Sequence, residues 1–281
     1  MELFFRYWFY LMKTTVKLAL PSLAVVVALN VGFLFKSLLD GNGFSLVYVL
    51  LIAATLLVYP VIGLVNTLKD FPVKKALDEY GYSAEYLAVF EEKMIKGKPF
   101  KESTAVQYAE IYSRMGRPEA AISYLNTLNL TTDVSRLACI YVYMMSALML
   151  GDSALAERLW AQNQDYIQKA FDNKQNIPMM HIVYLSMIYA DCCAGRFERA
   201  LEQTEKFMSS DDFKRYNAAK ADFDIIRVYA LKMLGRDNEA AALCTTVSQN
   251  IENSRNKLVY RWQYDKLRED LQKALAGQIP L

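Results

Sequence analysis

Hydrophobic and polar positions along the chain follow three regimes. Residues 18–35 and 44–68 carry no charged side chain; Lys17 and Lys36 bracket the first run, and Lys69 and Asp70 close the second. A helix rises about 1.5 Å per residue, so a hydrocarbon core about 30 Å thick needs roughly 20 apolar residues. The second run meets that length, and the first does once the stems of Lys17 and Lys36 extend outward. Only a helix satisfies every backbone group inside lipid. The polar connector 36–43, with Gly41, Asn42 and Gly43, supplies turn residues between the runs. The pattern predicts a transmembrane helical hairpin as an anchor over residues 1–70.

From residue 71 the pattern becomes amphipathic. Residues 73–80 and 84–95 read as helices, with Gly81 between them and Ser83 as an N-cap, and form a helical linker over 71–101. After residue 70 no alternating β-branched run appears, so the expected class is all-α. Four short turns then recur. Gly116, Gly151, Gly195 and Gly235 each stand five residues before Ala121, Ala156, Ala200 or Ala240, at intervals of 35, 44 and 40 residues. Glycine ends one helix in a left-handed conformation, and alanine lets the next helix close against it. Such spacing belongs to stacked helical pairs. A final amphipathic helix is expected over 254–276, with Leu258, Trp262, Leu267, Leu271 and Leu275 near one face, acting as a polar-sided cap or a partner-binding helix.

Aligned on these glycines, residues 102–250 resemble the tetratricopeptide repeat family. Ala109 and Tyr112 match the small and aromatic residues of the first helix, and Ala121 the alanine of the second. Later copies keep the glycine and alanine while the small position falls on Met144, Ile188 and Val228 and the aromatic one on Ala147, Asp191 and Leu231. The resemblance implies a right-handed TPR-like α-solenoid of antiparallel helix pairs over 102–281. It also implies inward-facing positions on the first helices: Tyr141, Met145, Met149, Leu185, Tyr189, Ile225, Tyr229 and Met233, with Glu110 and Arg114 from the first repeat. The eight form a candidate groove for a protein or peptide partner, of the apolar kind that takes an amphipathic helix, or else they are repeat-to-repeat core.

Charge narrows the function. The formal charge is +2; residues 1–70 hold five Lys/Arg and three Asp/Glu, which leaves 27 of each for the remainder. A neutral surface without a basic stripe argues against nucleic acid. Arg6, Lys13 and Lys17 precede the first run and Lys69, Lys74 and Lys75 follow the second, so both termini and the repeats are expected on the cytoplasmic side of a plasma (inner) membrane. The aromatic stretch Phe4, Phe5, Tyr7, Trp8, Phe9 and Tyr10 suits the membrane–water interface. Asn30 and Gly32 pack either within the hairpin or against another membrane protein.

Chemistry is sparse. His181 is the only histidine, which removes multi-histidine metal sites and most Ser-His designs. Cys139, Cys192, Cys193 and Cys244 contain no CxxC pair and are expected to be reduced thiols. No catalytic residue, metal or cofactor is predicted. The expected function is a membrane-anchored interaction module or scaffold that raises a partner's concentration near the bilayer. The alternative is an accessory subunit of a secretion, transport or envelope-assembly complex, contacted mainly through the hairpin.

Overall fold

A computed structural model describes residues 2–11, 28, 31–32, 35–36, 46–172, 180–211, 213, 220–255, 258 and 260–281, with backbone alone for 46–60 and 63. Among the described residues the structure is all-α and contains no strand. The chain divides into two compact units, Met1–Glu79 and Tyr80–Leu281.

In the first unit, residues 2–11 are helical and α1 runs unbroken over Leu46–Tyr80. Most of the first predicted span, 18–35, lies outside the described residues, as do the connector and Asn30. The second span is part of α1, and the expected separate helix over 73–80 is its continuation. Pro72 removes one backbone donor, at a cost of about 3 kcal/mol in a helix interior. Packing on either side carries the helix past it: Val73, Ala76 and Leu77 are buried, and Phe71 meets the edge of Phe4 at 5.1 Å. Between Val61 and Leu68, Val61, Ile62, Leu64, Val65 and Leu68 are exposed apolar side chains, with Asn66 exposed among them.

Gly81, with φ +60°, ends α1 at the start of the second unit. Ser83 caps α2 (Ala84–Phe90), its side chain accepting from the Tyr86 N–H at 3.3 Å. A single π turn, Glu91–Ile95, follows in place of the expected continuous helix over 84–95, with the Lys96 N–H donating to the Glu91 carbonyl at 2.8 Å. Four helix pairs come next: α3 (Glu102–Arg114) with α4 (Pro118–Leu125), α5 (Asp133–Leu150) with α6 (Ser153–Asp172), α7 (Met180–Cys193) with α8 (Phe197–Ser209), and α9 (Lys220–Met233) with α10 (Asp237–Ser254). The last helix, α11, spans Arg261–Leu275. It starts later than the expected 254–276, because Ser254 closes α10 and a capping box of Tyr260 and Gln263 opens α11.

Each pair closes through the same turn. At Gly195 the chain takes φ +70°, the Gly195 N–H donates to the Cys192 carbonyl at 3.1 Å, and the Arg196 N–H reaches back to the Asp191 carbonyl at 2.9 Å. This is a Schellman arrangement, which satisfies carbonyls a helix end otherwise leaves open. The glycines at 116, 151 and 235 repeat it. Ala121, Ala156, Ala200 and Ala240 are then buried to 0–2 % exposure, so each second helix approaches without side-chain bulk. The first helices stack, α3 on α5 and α5 on α7, while each second helix packs on the first helix of the next pair. The α11 helix packs on α9 and α10 in the same way and ends in the same turn, at Gly277 with φ +72°. It therefore occupies the place of a fifth first helix.

One extended hydrophobic cluster runs through these pairs, from Val106 to Ala274. Helix α5 is its centre. Among the described residues α5 alone has the length and apolar content to cross a membrane, and most of it is buried inside the unit.

Candidate functional site

Polar and aromatic side chains of several helices meet in a cluster around Arg114 of α3. Helix α3 contributes Glu110 and Arg114 one turn apart; the Arg114 Nε donates to the Glu110 carboxylate at 2.8 Å. The Arg114 Nη2 donates to the Tyr141 hydroxyl of α5 at 3.1 Å, and the Tyr141 ring stacks on Tyr189 of α7 at 5.9 Å. From the segment before α2, Tyr82 lies against the Arg114 guanidinium, 5.4 Å from its ring centroid. Tyr82 also meets Trp262 of α11 edge-on at 5.3 Å, so the last helix reaches the start of the unit. Helix α11 adds an ion pair, Lys266 with Asp270. From α9, Asp222 interacts electrostatically with Arg114, Asp270 and Lys266.

Enclosure by protein shapes the charges here. Burial pushes the Tyr82 phenol up to about 12, against the opposing effect of Arg114, and raises Tyr141 and Tyr189 as well, so all three stay neutral phenols at physiological pH. Desolvation works against the Arg114 charge, but Tyr141, Tyr82 and Glu110 more than offset it and its pKa lies above the ordinary arginine value. Desolvation lowers Lys266 despite its bond to Asp270. Desolvation raises the Asp222 carboxyl to about 6, with Arg114 opposing the shift.

The eight groove residues predicted from the repeats divide. Tyr141 and Tyr189 are buried with their rings stacked on each other, and the Tyr141 hydroxyl accepts from Arg114. Met145, Leu185, Ile225 and Tyr229 are buried in the hydrophobic cluster, with Tyr229 edge-on to Phe197 at 5.9 Å. Met149 is half-buried, and Met233 is exposed. The cluster around Arg114 is more polar than the eight predicted positions suggested: Arg114 pairs with Glu110, and α11, whose Trp262 meets Tyr82, carries the pair Lys266–Asp270. Asp222 stands three residues before Ile225, one turn up the first helix from a predicted inward position, and that periodicity is the signal that would have found it. Lys266 and Asp270 belong to a helix whose sequence reads as a cap, and nothing local marks them.

A second charged cluster lies at the α7–α8 turn. Asp191 stands where the repeat pattern expects an aromatic residue and is buried, at 2 % exposure. Arg196 donates to its Oδ1 at 2.7 Å, and the Arg199 Nε lies 3.3 Å from its Oδ2. The two arginines hold the turn to the second helix.

Other chemistry is absent from the described residues. No group of three or more potential metal ligands assembles among them. Burial raises Cys139 and Cys193 to about 12 and Cys192 further, which keeps these thiols protonated. His181 lies in the first turn of α7, partly buried. No protein-family model matches the chain, and neither a curated protein nor a solved structure does.

Proposed function

We propose that the chain is a membrane-anchored interaction module, in which a hairpin within residues 1–70 holds the bilayer and a TPR-like α-solenoid presents the cluster around Arg114 to a protein or peptide partner on the cytoplasmic side. The observation that carries the interaction reading is the polar and aromatic cluster in which Arg114 of α3, Tyr141 of α5, Tyr189 of α7, Tyr82 and Trp262 of α11 meet. These groups bind and orient; none forms a nucleophile–base pair of the kind covalent catalysis needs. Four repeated turns with buried alanines support the repeat architecture. The apolar side chains that α1 leaves open between Val61 and Leu68 support the anchor, since exposed apolar surface of this extent is expected to meet lipid or another apolar surface.

The test is co-purification from native membranes in mild detergent, comparing wild type with Tyr82→Ala/Asp222→Arg. Circular dichroism and a melting curve establish that the variant keeps its fold. A partner lost from the folded variant supports the cluster. Retention of every partner overturns it. In that case, loss of a partner on Val61→Ser/Val65→Ser would favour the accessory-subunit reading, in which α1 makes the contact. Resistance of the chain to alkaline extraction tests the anchor separately.

A further inference from the structure

The helix over residues 2–11 turns several of its aromatic side chains away from the protein. Two contacts hold it on α1: Phe4 meets the edge of Phe71 at 5.1 Å, and the Lys74 ammonium stands 6.0 Å from the centre of the buried Tyr7 ring. A helix turns about 100° per residue, so Phe5, Trp8 and Phe9 share an arc of about 100° on another side. Phe5 and Phe9 are 45 % and 54 % exposed, and the Trp8 ring lies beside both, with centres 6.4 and 5.1 Å away. The next sector of the helix is charged, with Arg6 and Glu2 paired at 3.1 Å. One face of this helix docks on α1, one is an open aromatic patch, and one is polar.

We propose that the patch of Phe5, Trp8 and Phe9 binds the interfacial layer of the bilayer, where headgroups meet acyl chains, and thereby fixes the depth of α1. The inference rests on the anchor reading for the place of α1 and adds a second lipid contact, separate from the spans. Level, chemistry and charge select lipid as the occupant. Phe71, on which the helix docks, lies three residues past Leu68, where the open and mainly apolar stretch of α1 ends. That is about 4.5 Å along the helix axis. The interfacial layer on each side of the hydrocarbon core is about 5–7 Å thick, so the contact with Phe71 falls inside it. Aromatic rings are favoured at that level, and a helix with an aromatic sector beside a charged one belongs at such a boundary. Lys69 and Lys75 are exposed and Lys74 is half-buried on the same turns of α1, where Asp70 is the one acid; Asp78 and Glu79 come a turn later. The turns nearest the bilayer are therefore net positive, which suits anionic headgroups. The aromatic patch also continues the open apolar surface of α1 across the level where Lys69 begins its charged part, so a single lipid surface covers both.

The test uses the full chain with Trp160→Phe/Trp262→Phe, which leaves Trp8 as the only tryptophan, reconstituted in vesicles of phosphatidylcholine and phosphatidylglycerol. Lipids carry a nitroxide quencher either at the headgroup or at the bilayer centre. Headgroup nitroxides are expected to quench Trp8 at least about twofold more strongly than central ones, as suits the depth of an aromatic belt. In Phe5→Ser/Phe9→Ser, with helical content unchanged by circular dichroism, headgroup quenching is expected to fall by about half or more, because the apolar area that holds the helix in the interface is lost. Phe100→Ser, which alters an exposed aromatic of the second unit, is expected to leave it as it is. Absence of quenching, stronger quenching from the bilayer centre, or undiminished quenching in folded Phe5→Ser/Phe9→Ser overturns the proposal. If alkali strips the chain from vesicles in which Trp8 was quenched from the headgroup, the interfacial contact stands and the hairpin anchor fails. If the chain resists alkali while Trp8 is unquenched, the anchor stands and this proposal fails.

Discussion

Asp191 and its two arginines make an asymmetric stability prediction. The Asp191 side chain is 3 % accessible, while Arg196 and Arg199 are 43 % and 57 % accessible. Removing the charge from the buried partner differs from removing the exposed ones. In Asp191→Asn the amide oxygen still accepts from Arg196, and both arginines hydrate where they stand, so the loss is about 1 kcal/mol, the scale of one ordinary hydrogen bond. In Arg196→Ala/Arg199→Ala the carboxylate stays buried and unpaired. Breaking a buried pair in that way costs about 3–5 kcal/mol. Because both arginines leave openings to water, the lower end, about 3 kcal/mol, is expected here. A difference of about 2 kcal/mol is roughly thirtyfold in the unfolding constant. Urea denaturation of the full chain in detergent measures it, and native-state hydrogen exchange localises it to α7 and α8. If Asp191→Asn costs as much as the double arginine variant, the buried carboxylate does not depend on its arginines and the reasoning is refuted.

Four further predictions concern the repeat turns, the first connection and the thiols. Gly151 has φ +64° and open space where a Cβ would sit, so Gly151→Ala should cost about 1–2 kcal/mol by backbone strain alone, read by urea denaturation. Ala200→Leu should cost about 1–3 kcal/mol in the same assay, because the fully buried alanine leaves no room at the α7–α8 contact. Glu102 accepts from the N–H and hydroxyl groups of Thr131 and Thr132, which hold its carboxyl at about 2, below the usual carboxylate value of 4.5. A depressed pKa means a contribution present above pH 4.5 and lost as pH falls toward 2; the protection factors of amides in α5's first turn, corrected for intrinsic exchange, should fall over that window in wild type and stay flat in Glu102→Gln. Native Cys139 and Cys192, buried and with raised pKa, should resist iodoacetamide at pH 8 and react only after unfolding, as mass spectrometry would show.

What was legible in the sequence was local. A glycine that ends a helix and an alanine five residues later belong to one turn, so the four pairs, and the burial of Ala121, Ala156, Ala200 and Ala240, followed from spacing alone. The helix start at Arg261 was missed because the apolar period runs through Leu258, whereas the capping box of Tyr260 and Gln263 depends on backbone geometry. The break expected after residue 70 was read from the change of pattern there; α1 runs through it, and through Pro72, since Val73, Ala76 and Leu77 find a packing surface that sequence does not display. The cluster was half legible. Arg114, Tyr141 and Tyr189 fall on predicted inward positions, but Tyr82 and α11 join them only because Trp262 meets Tyr82 in the segment before α2. Helical period cannot express a contact of that range.

The Tyr82–Trp262 contact also bears on how the second unit folds. Helix pairs stacked on their neighbours have low contact order and can zip from any nucleus, with only short loops to close. Tyr82 and Trp262 belong to opposite ends of that order, and their rings meet only after every intervening pair has docked. The pair is a completion signal for the whole array. Intrinsic fluorescence of Trp262, with Trp8 and Trp160 replaced by phenylalanine, should settle in the slowest refolding phase, after helical circular dichroism has reached its native value.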